Sequence, residues 1–399
     1  LNKIFAFLYQ DFIARWYHSC MNDCKNEKSS GIGQFTCSES ATAVEAIDHI
    51  LAYATDLRAS DIHIDPTENT LGLRVRIDGQ IQNTGQLPKR LHSEIIARLK
   101  ILAGARTDVH IVPQDGRWRA RIGFTDHNVR ISFMPTYHGE NAVLRLLPTK
   151  HANDLSFAKL GFTPDHARAM TQALKRNHGL ILVTGPTGSG KTTTLHACLL
   201  EKAREPLSII TLEDPVEYEL ANVRQVHIQH THGVTFASGL RAALRQDPDV
   251  IMVGEIRDSE TAQVAIHTAL TGHLVLSTLH TNSALETIPR LIDMGVDHYL
   301  LASTLKLVIA ERLVRTLCHE CSAEGCSGCH FKGYIGRSVI AEVCEVDGGM
   351  SKLISHREPV SAYLEYARSR GFCPILEDGM EKVAWGVTTR EEVLRVLYS

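Results

Sequence analysis

The sequence predicts an α/β protein, with a core of parallel strands carrying helices on both faces and a smaller α+β domain ahead of it. Three observations support this. From residue 160 onward, short apolar runs at 180–184, 208–212, 250–253 and 273–277 each give way to helix-compatible sequence, the pattern of a parallel sheet buried on both faces. Upstream, alternating segments at 60–65, 71–77, 118–124 and 129–134 surround a helix-like stretch at 91–102, a mixture that suits a small α+β domain. Between the run LILVT and the helix-compatible TTTLHACLL stands GPTGSGKT, residues 185–192.

Taken in order, residues 1–40 read as a short amphipathic helix and a polar linker, NEKSSGIGQ. A helix follows at 41–56, with Val44, Ile47, Ile50 and Leu51 at helical spacing. The α+β domain is expected to fill 41–148 and the α/β core 156–399, with a helical tail from about Met350. That tail closes with Thr388 and Thr389 as a cap before residues 391–397. A chain of 399 residues accommodates two or three domains. Its formal net charge of −3 gives no basic field to attract nucleic acid. No apolar run is long enough to span a bilayer, and no cleavable leader is evident. The chain starts at Leu1 rather than Met, which leaves open what precedes it.

The GPTGSGKT run is a P-loop. Gly185, Pro186, Thr187, Gly188, Ser189 and Gly190 form the loop, and all but the proline offer backbone N–H groups to phosphate oxygens at a helix N-terminus, where the helix dipole also favours anions. Lys191 is placed to reach the β- and γ-phosphates, Thr192 to hold Mg²⁺, and Thr193 to extend the same turn. ATP and Mg²⁺ are therefore the expected ligands. Downstream, DPDVIMVGEIRD ends an apolar strand at Glu255, a carboxylate placed to polarise water. ITLEDPVEY sets Glu213, Asp214 and Glu217 after another strand; carboxylates so close together imply a cation among them. LVLSTLHTNSA places His280 at a fourth strand end, in position to sense a γ-phosphate.

Of the ten cysteines, Cys318, Cys321, Cys326 and Cys329 form C-x₂-C-x₄-C-x₂-C. Two such pairs in a chain without an export signal imply a structural Zn²⁺ site in reducing cytosol. His319 and His330 flank it as substitute ligands, and Cys20 and Cys24 read as plain thiols.

Together the boxes GPTGSGKTTTLH, ITLEDPVEY, LRAALRQDPDVIMVGEIRD and TGHLVLSTLHTNSA resemble the secretion ATPases of type II secretion and type IV pilus assembly systems. The resemblance continues through ASDIHIDP, RVRIDG, VPQDGR and MPTYHGENAVLRLL upstream, and through ERLVRTLC, GYIGRSVIAEV and LEDGMEKVAWGVTTREEVLRV downstream. It implies a RecA-like P-loop ATPase core behind a PAS-like domain, with Glu255 catalytic, an acidic box at 213–217 and His280 in a histidine box. It also implies a homo-hexamer, cytoplasmic and peripheral to the inner membrane, working with an inner-membrane platform protein and a membrane recruitment protein. Arginines close the site in such rings; Arg76 is the first candidate here, with Arg90, Arg241 and Arg245 behind it. Arg241 and Arg245 are expected to share one helix face.

The sequence departs from the family in three places: the short insert between the cysteine pairs, Ile111 before VPQDGR, and the absence of most of the extra N-terminal domain of longer members. The cysteine pairs point to an export or extension motor. A retraction motor and a RecA-like nucleic-acid translocase are the alternatives, along with a scaffold that binds nucleotide without turnover.

Overall fold

The computed structural model describes residue 35 and residues 41–123, 125–148, 155–217, 219–229 and 232–398. The expected N-terminal helix, Cys20 and Cys24 lie outside the described residues. Contacts divide the chain into two units, one of Leu1–Lys150 with Cys318–Ile335 and one of His151–Leu317 with Gly336–Ser399. The sequence had kept 318–329 with the second unit.

In the first unit, helix α1 (Ala43–Asp56) starts at a capping box. The Thr42 hydroxyl accepts from the Glu45 N–H, and the Glu45 carboxylate accepts from the Thr42 N–H. Its buried face carries Ala46, Ile47, Ile50, Leu51 and Ala54. Helix α2 (His92–Ala103) stops at Gly104, whose φ of 69° closes the helix in the left-handed region. Both helices share a core with a six-stranded antiparallel sheet. Its strands are β1 (Asp61–Pro66), β2 (Thr70–Ile77), β3 (Gln80–Pro88), β4 (Gln114–Ile122), β5 (Thr125–Thr136) and β6 (Gly139–Pro148), in the order β3-β2-β1-β6-β5-β4.

The second unit opens with α3 (Phe157–Leu160) and α4 (Pro164–Leu174) and is built on a seven-stranded sheet. Its strands are β7 (Gly179–Thr184), β8 (Ile209–Glu213), β9 (Arg224–His227), β10 (Val250–Val253), β11 (Leu274–Leu279), β12 (Leu305–Leu317) and β13 (Tyr334–Glu345). They lie in the order β13-β12-β7-β11-β10-β8-β9. From β12 through β9 each neighbouring pair runs parallel. Strands β7, β8, β10 and β11 are buried at every residue, as a sheet with both faces covered requires. The helices are α5 (Lys191–Lys202), α6 (Phe236–Ala243), α7 (Ser259–Leu270), α8 (Thr287–Asp293) and α9 (His298–Thr304), then α10 (Gly348–Ser355), α11 (Val360–Ser369), α12 (Ile375–Ala384) and α13 (Arg390–Tyr398). Separate apolar clusters line the sheet.

Strands β3, β6, β9, β12 and β13 exceed what the sequence showed. β3 (QIQNTGQLP) and β9 (RQVH) are polar edge strands without a buried stripe. β12 (LKLVIAERLVRTL) carries four charges in thirteen residues, which masks its burial. Helix α6 ends at Ala243, so Arg245 stands in the turn beyond it instead of sharing a helix face with Arg241; its guanidinium donates to the Arg241 carbonyl. Among the described residues, no helix is long and apolar enough to cross a membrane.

Helix α13 is held to β12 by Glu392, whose enclosed carboxylate accepts from Arg315 at 2.8 Å and from Arg395 at 2.7 and 2.8 Å. Burial alone would raise this acid, but the two guanidinium partners outweigh it and hold the group down to about 2. Its contribution to stability is complete above the ordinary carboxylate value of 4.5 and is lost as the pH falls toward 2. Glu392→Gln is expected to lower the thermal midpoint at neutral pH. Melting curves of variant and parent should converge on acidification across that window.

Candidate active site

The strand ends of the second unit place the chemistry. Thr184 ends β7 between Leu279 of β11 and Ala310 of β12, and the P-loop departs from there. Gly185, Gly188 and Gly190 take φ values of 147°, 80° and 106°. At Gly185 a side chain is excluded outright, since a Cβ would lie 2.6 Å from both the Glu311 carbonyl and Ser189 Oγ. Lys191 is the first residue of α5, largely buried, and its Nζ donates to the carbonyls of Gly185 and Pro186 at 2.8 Å each. Burial pulls this ammonium below its usual range, against the pull of Glu311 and Glu255. The Ser189 hydroxyl is buried without a hydrogen-bond partner, and an unpaired buried polar group of this kind costs roughly 1–3 kcal/mol. Left-handed glycines, an orphaned hydroxyl and a lysine folded back on its own loop together make a cradle suited to phosphate oxygens. Thr192 lies exposed in the first turn of α5, free to hold Mg²⁺, and Thr193 follows half-buried.

Glu255 is fixed by its neighbours. The Gly254 N–H donates to the Leu212 carbonyl at 2.8 Å, the Ile256 N–H to the Thr278 carbonyl at 2.9 Å, and Thr278 Oγ1 to the Gly254 carbonyl at 2.7 Å. The segment is thereby pinned between the ends of β8 and β11. The carboxylate is 14% exposed, paired with Arg257 at 2.6 Å and 3.7 Å from His280 Nε2. His280 is positioned by Thr281, whose N–H donates to Thr184 Oγ1 at 2.8 Å. Burial first, and Lys191 second, hold this imidazole below its ordinary value, so it is neutral at pH 7. Lys191, Glu255 and His280 therefore form one electrostatic group at the end of the P-loop strand.

The acidic box divides. Glu213 is buried and turned inward: Oε1 accepts from Thr211 at 2.6 Å and Gln225 at 2.9 Å, while Oε2 lies 3.3 Å from His196. Burial would raise it, but these partners outweigh that and lower it. Protein donors therefore supply what the sequence had assigned to a cation. Asp214 is exposed and acts electrostatically on Arg257. Arg241 pairs with Glu260 at 2.8 Å on the surface. Arg76 and Arg90 belong to the first unit. Arg76 donates to the Gly79 carbonyl at 2.8 Å and lies 3.7 Å from Asp61, and Arg90 reaches the Ala41 carbonyl at 3.4 Å.

The site also contains a residue that motif reasoning missed. Glu311 on β12 is fully buried and accepts from Thr194 Oγ1 at 2.6 Å. In the sequence it heads ERLVRTLC, a segment that resembles the family but was given no role in the site, and it stands as a carboxylate beside an apolar run.

In the first unit, Cys318, Cys321, Cys326 and Cys329 bring their sulfurs within 4.8 Å of one another, with pairs at 3.7 and 3.8 Å. A zinc ion about 2.3 Å from each of four tetrahedral sulfurs would set them about 3.8 Å apart, so the thiols fit that ion. Backbone N–H groups of Gly325, Cys326 and Gly333 point at the sulfurs at 3.2 Å. Burial would raise the Cys329 thiol, but N–H donation from Cys326 and Gly333 helps bring it down to about 6. Among the described residues, neither His319 nor His330 joins the cluster.

A family model described as Type II/IV secretion system protein matches residues 37–395. The chain is 43% identical over 366 residues to the type II secretion system protein HxcR of Pseudomonas aeruginosa, across 90% of this chain and 78% of that protein. It is 43% identical over 383 residues to the type II secretion system ATPase E of Vibrio cholerae, across 90% and 76%. Among solved structures, the pilus retraction motor PilT with bound ADP is similar at 29% identity with a TM-score of 0.65, covering 88% of this chain and 96% of that one. The ATPase DotB of Legionella pneumophila superposes with a TM-score of 0.71 at 22% identity, covering 91% and 98%, a likeness of fold alone.

Elemental analysis of the purified chain is expected to find about one zinc per chain, the capacity of a four-thiolate site. Cys321→Ser should lower that content severalfold, and a thiol reagent should release the remainder.

Proposed function

The chain belongs to the type II/IV secretion system protein family and is one of its ATPases, and from that premise we propose that it works as a homo-hexameric motor assembling a secretion pseudopilus or a type IV pilus. The observation that carries the reading is the placement of Glu255, at the end of β10 and beside His280, within the electrostatic reach of the P-loop Lys191. ATP is the substrate. Backbone N–H groups of Gly185 and of 187–191, with the Lys191 ammonium, hold its phosphates, and Thr192 would hold Mg²⁺, which neutralises phosphate charge when bound. Glu255 is the general base that orients water and takes its proton. Neutral His280 can donate a hydrogen bond toward the terminal phosphate, while Arg257 keeps the Glu255 carboxylate oriented until a substrate arrives.

The choice of an assembly motor over a retraction motor rests on the four cysteines and on the type II secretion relatives, which are closer in sequence than the retraction motor PilT. A formal charge of −3 speaks against a nucleic-acid translocase. The motor would act in the cytoplasm against an inner-membrane platform protein, held there by a membrane recruitment protein. Arg76, followed by Arg90, Arg241 and Arg245, are the arginines we propose to complete the phosphate site in the assembled ring. Zn²⁺ at Cys318, Cys321, Cys326 and Cys329 would be structural, since four sulfurs leave no open position.

Glu255→Gln keeps the shape of the site and removes the base. It is expected to bind ATP with unchanged affinity while phosphate release falls by about 10²–10⁴-fold, the range for losing a general base. A phosphate-release assay read beside an ATP-binding titration checks this, and unaltered hydrolysis would sink the assignment.

A further inference from the structure

Glu311 is the enclosed carboxylate to which the reading above gives no task. It follows Ala310, the β12 residue paired with Thr184 at the end of β7. Its side chain and its backbone each touch the P-loop. Oε2 accepts from Thr194 Oγ1 in the first turn of α5, and Oε1 has no hydrogen-bond partner. That free oxygen lies 3.1 Å from the point a Cβ on Gly190 would occupy, and the Glu311 carbonyl lies 2.6 Å from the same point on Gly185. One residue thus sets the closest approach at both ends of the phosphate loop.

We propose that Glu311 is a positioning residue of the nucleotide site, carried as the neutral acid beneath Gly190, and that its ionisation weakens nucleotide binding. A fully enclosed carboxylate with a single hydroxyl donor for its two oxygens is far costlier as an anion than as an acid. The groups facing it are the Lys191 ammonium, the Thr194 hydroxyl and the Cys198 thiol from α5, and Arg312 beside it on β12. Neither cation donates to the carboxyl. Lys191 is turned to the Gly185 and Pro186 carbonyls, while Arg312 is turned to the Glu311 and Asn282 carbonyls. Farther out, Glu255 acts on Lys191 and Glu342 on Arg312. Burial pushes the acid up to about 8, against the pull of Thr194, Lys191 and Arg312. Once Glu311 ionises, an anion at the N-terminus of α5 meets a second negative charge, and Lys191 is divided between the two.

The inference rests on residues 185–193 being the nucleotide site. The test is calorimetric titration of ATP with Mg²⁺ into the full chain and into Glu311→Gln, from about pH 7 to about pH 9.5, above the last phosphate ionisation. The variant is expected to match the parent at pH 7. Above pH 8 the parent Kd should rise, by up to roughly tenfold per pH unit, and the variant Kd should rise less. Deprotonation of Lys191 predicts the opposite. Removing the Glu311 charge would let that lysine lose its proton earlier, so a variant more sensitive to alkali than the parent overturns the proposal.

Melting curves give a second readout. The folded-state acid is raised, so the stability it supports is complete below pH 4.5 and declines until about pH 8. Glu311→Gln should therefore gain in thermal midpoint over the parent between pH 5 and pH 8. A variant with no such gain, or with ATP binding lost at pH 7, also overturns the proposal. A parent chain that binds no ATP at any pH sinks the site reading and the proposal together; equal pH profiles in both chains sink the proposal alone.

Discussion

The site depends on β7 being held in parallel register between β11 and β12. Thr184 stands opposite Leu279 on one side and Ala310 on the other, so β7 and β11 leave the sheet at the same level while β12 runs on beside the P-loop to Leu317. Parallel strands end together at their carboxyl edge, and ligands of open α/β sheets gather there. Moving β12 by one residue would exchange Glu311 for Ala310 or Arg312 under the P-loop and invert the faces of the strand. The hydroxyl of Thr184, shared with Leu279 and Thr281, ties the P-loop strand to the histidine segment through one side chain.

The charged groups of this edge fall into two kinds. Asp214, Thr192, His280 and, in part, Glu255 are open enough to meet a substrate, and Glu255 pairs with the side chains of Arg257 and His280. Glu213 and Glu311 are enclosed, and different surroundings settle their states. Glu213 has three side-chain neighbours able to serve its oxygens and is held below its ordinary value, whereas Glu311 has one donor and is pushed up to about 8. Two enclosed glutamates are thus pushed in opposite directions, Glu213 down by its partners and Glu311 up by its deeper burial with fewer donors.

This difference explains how far the sequence could be read. The P-loop, Glu255 and His280 were legible because each follows an apolar run that could only be a buried strand, and strand ends are where phosphate chemistry is placed. The four cysteines were legible from spacing alone. Glu213 was read as facing a cation because Gln225 and His196 approach it from elsewhere in the chain to join Thr211 of its own strand, and no linear pattern announces them. Glu311 escaped notice because β12 carries Lys306, Glu311, Arg312 and Arg315 among its apolar residues, so burial of the strand could not be inferred from alternation. The edge strands β3 and β9 were invisible for the converse reason: they bury almost nothing, and backbone pairing leaves no trace in side-chain composition.

Cys318–Ile335 groups with the first unit although β12 and β13, on either side of it, are strands of the second unit's sheet. This has a consequence for biosynthesis. On the ribosome the amino-terminal unit emerges early, yet its final piece is some 170 residues behind, after six strands of the other sheet have been made. The first unit therefore lacks its last piece while most of the second is translated. The cysteines are the last part of the first unit to be made, with β13 and four helices of the second still to follow, so the metal they suit would be acquired late in synthesis and not at its start.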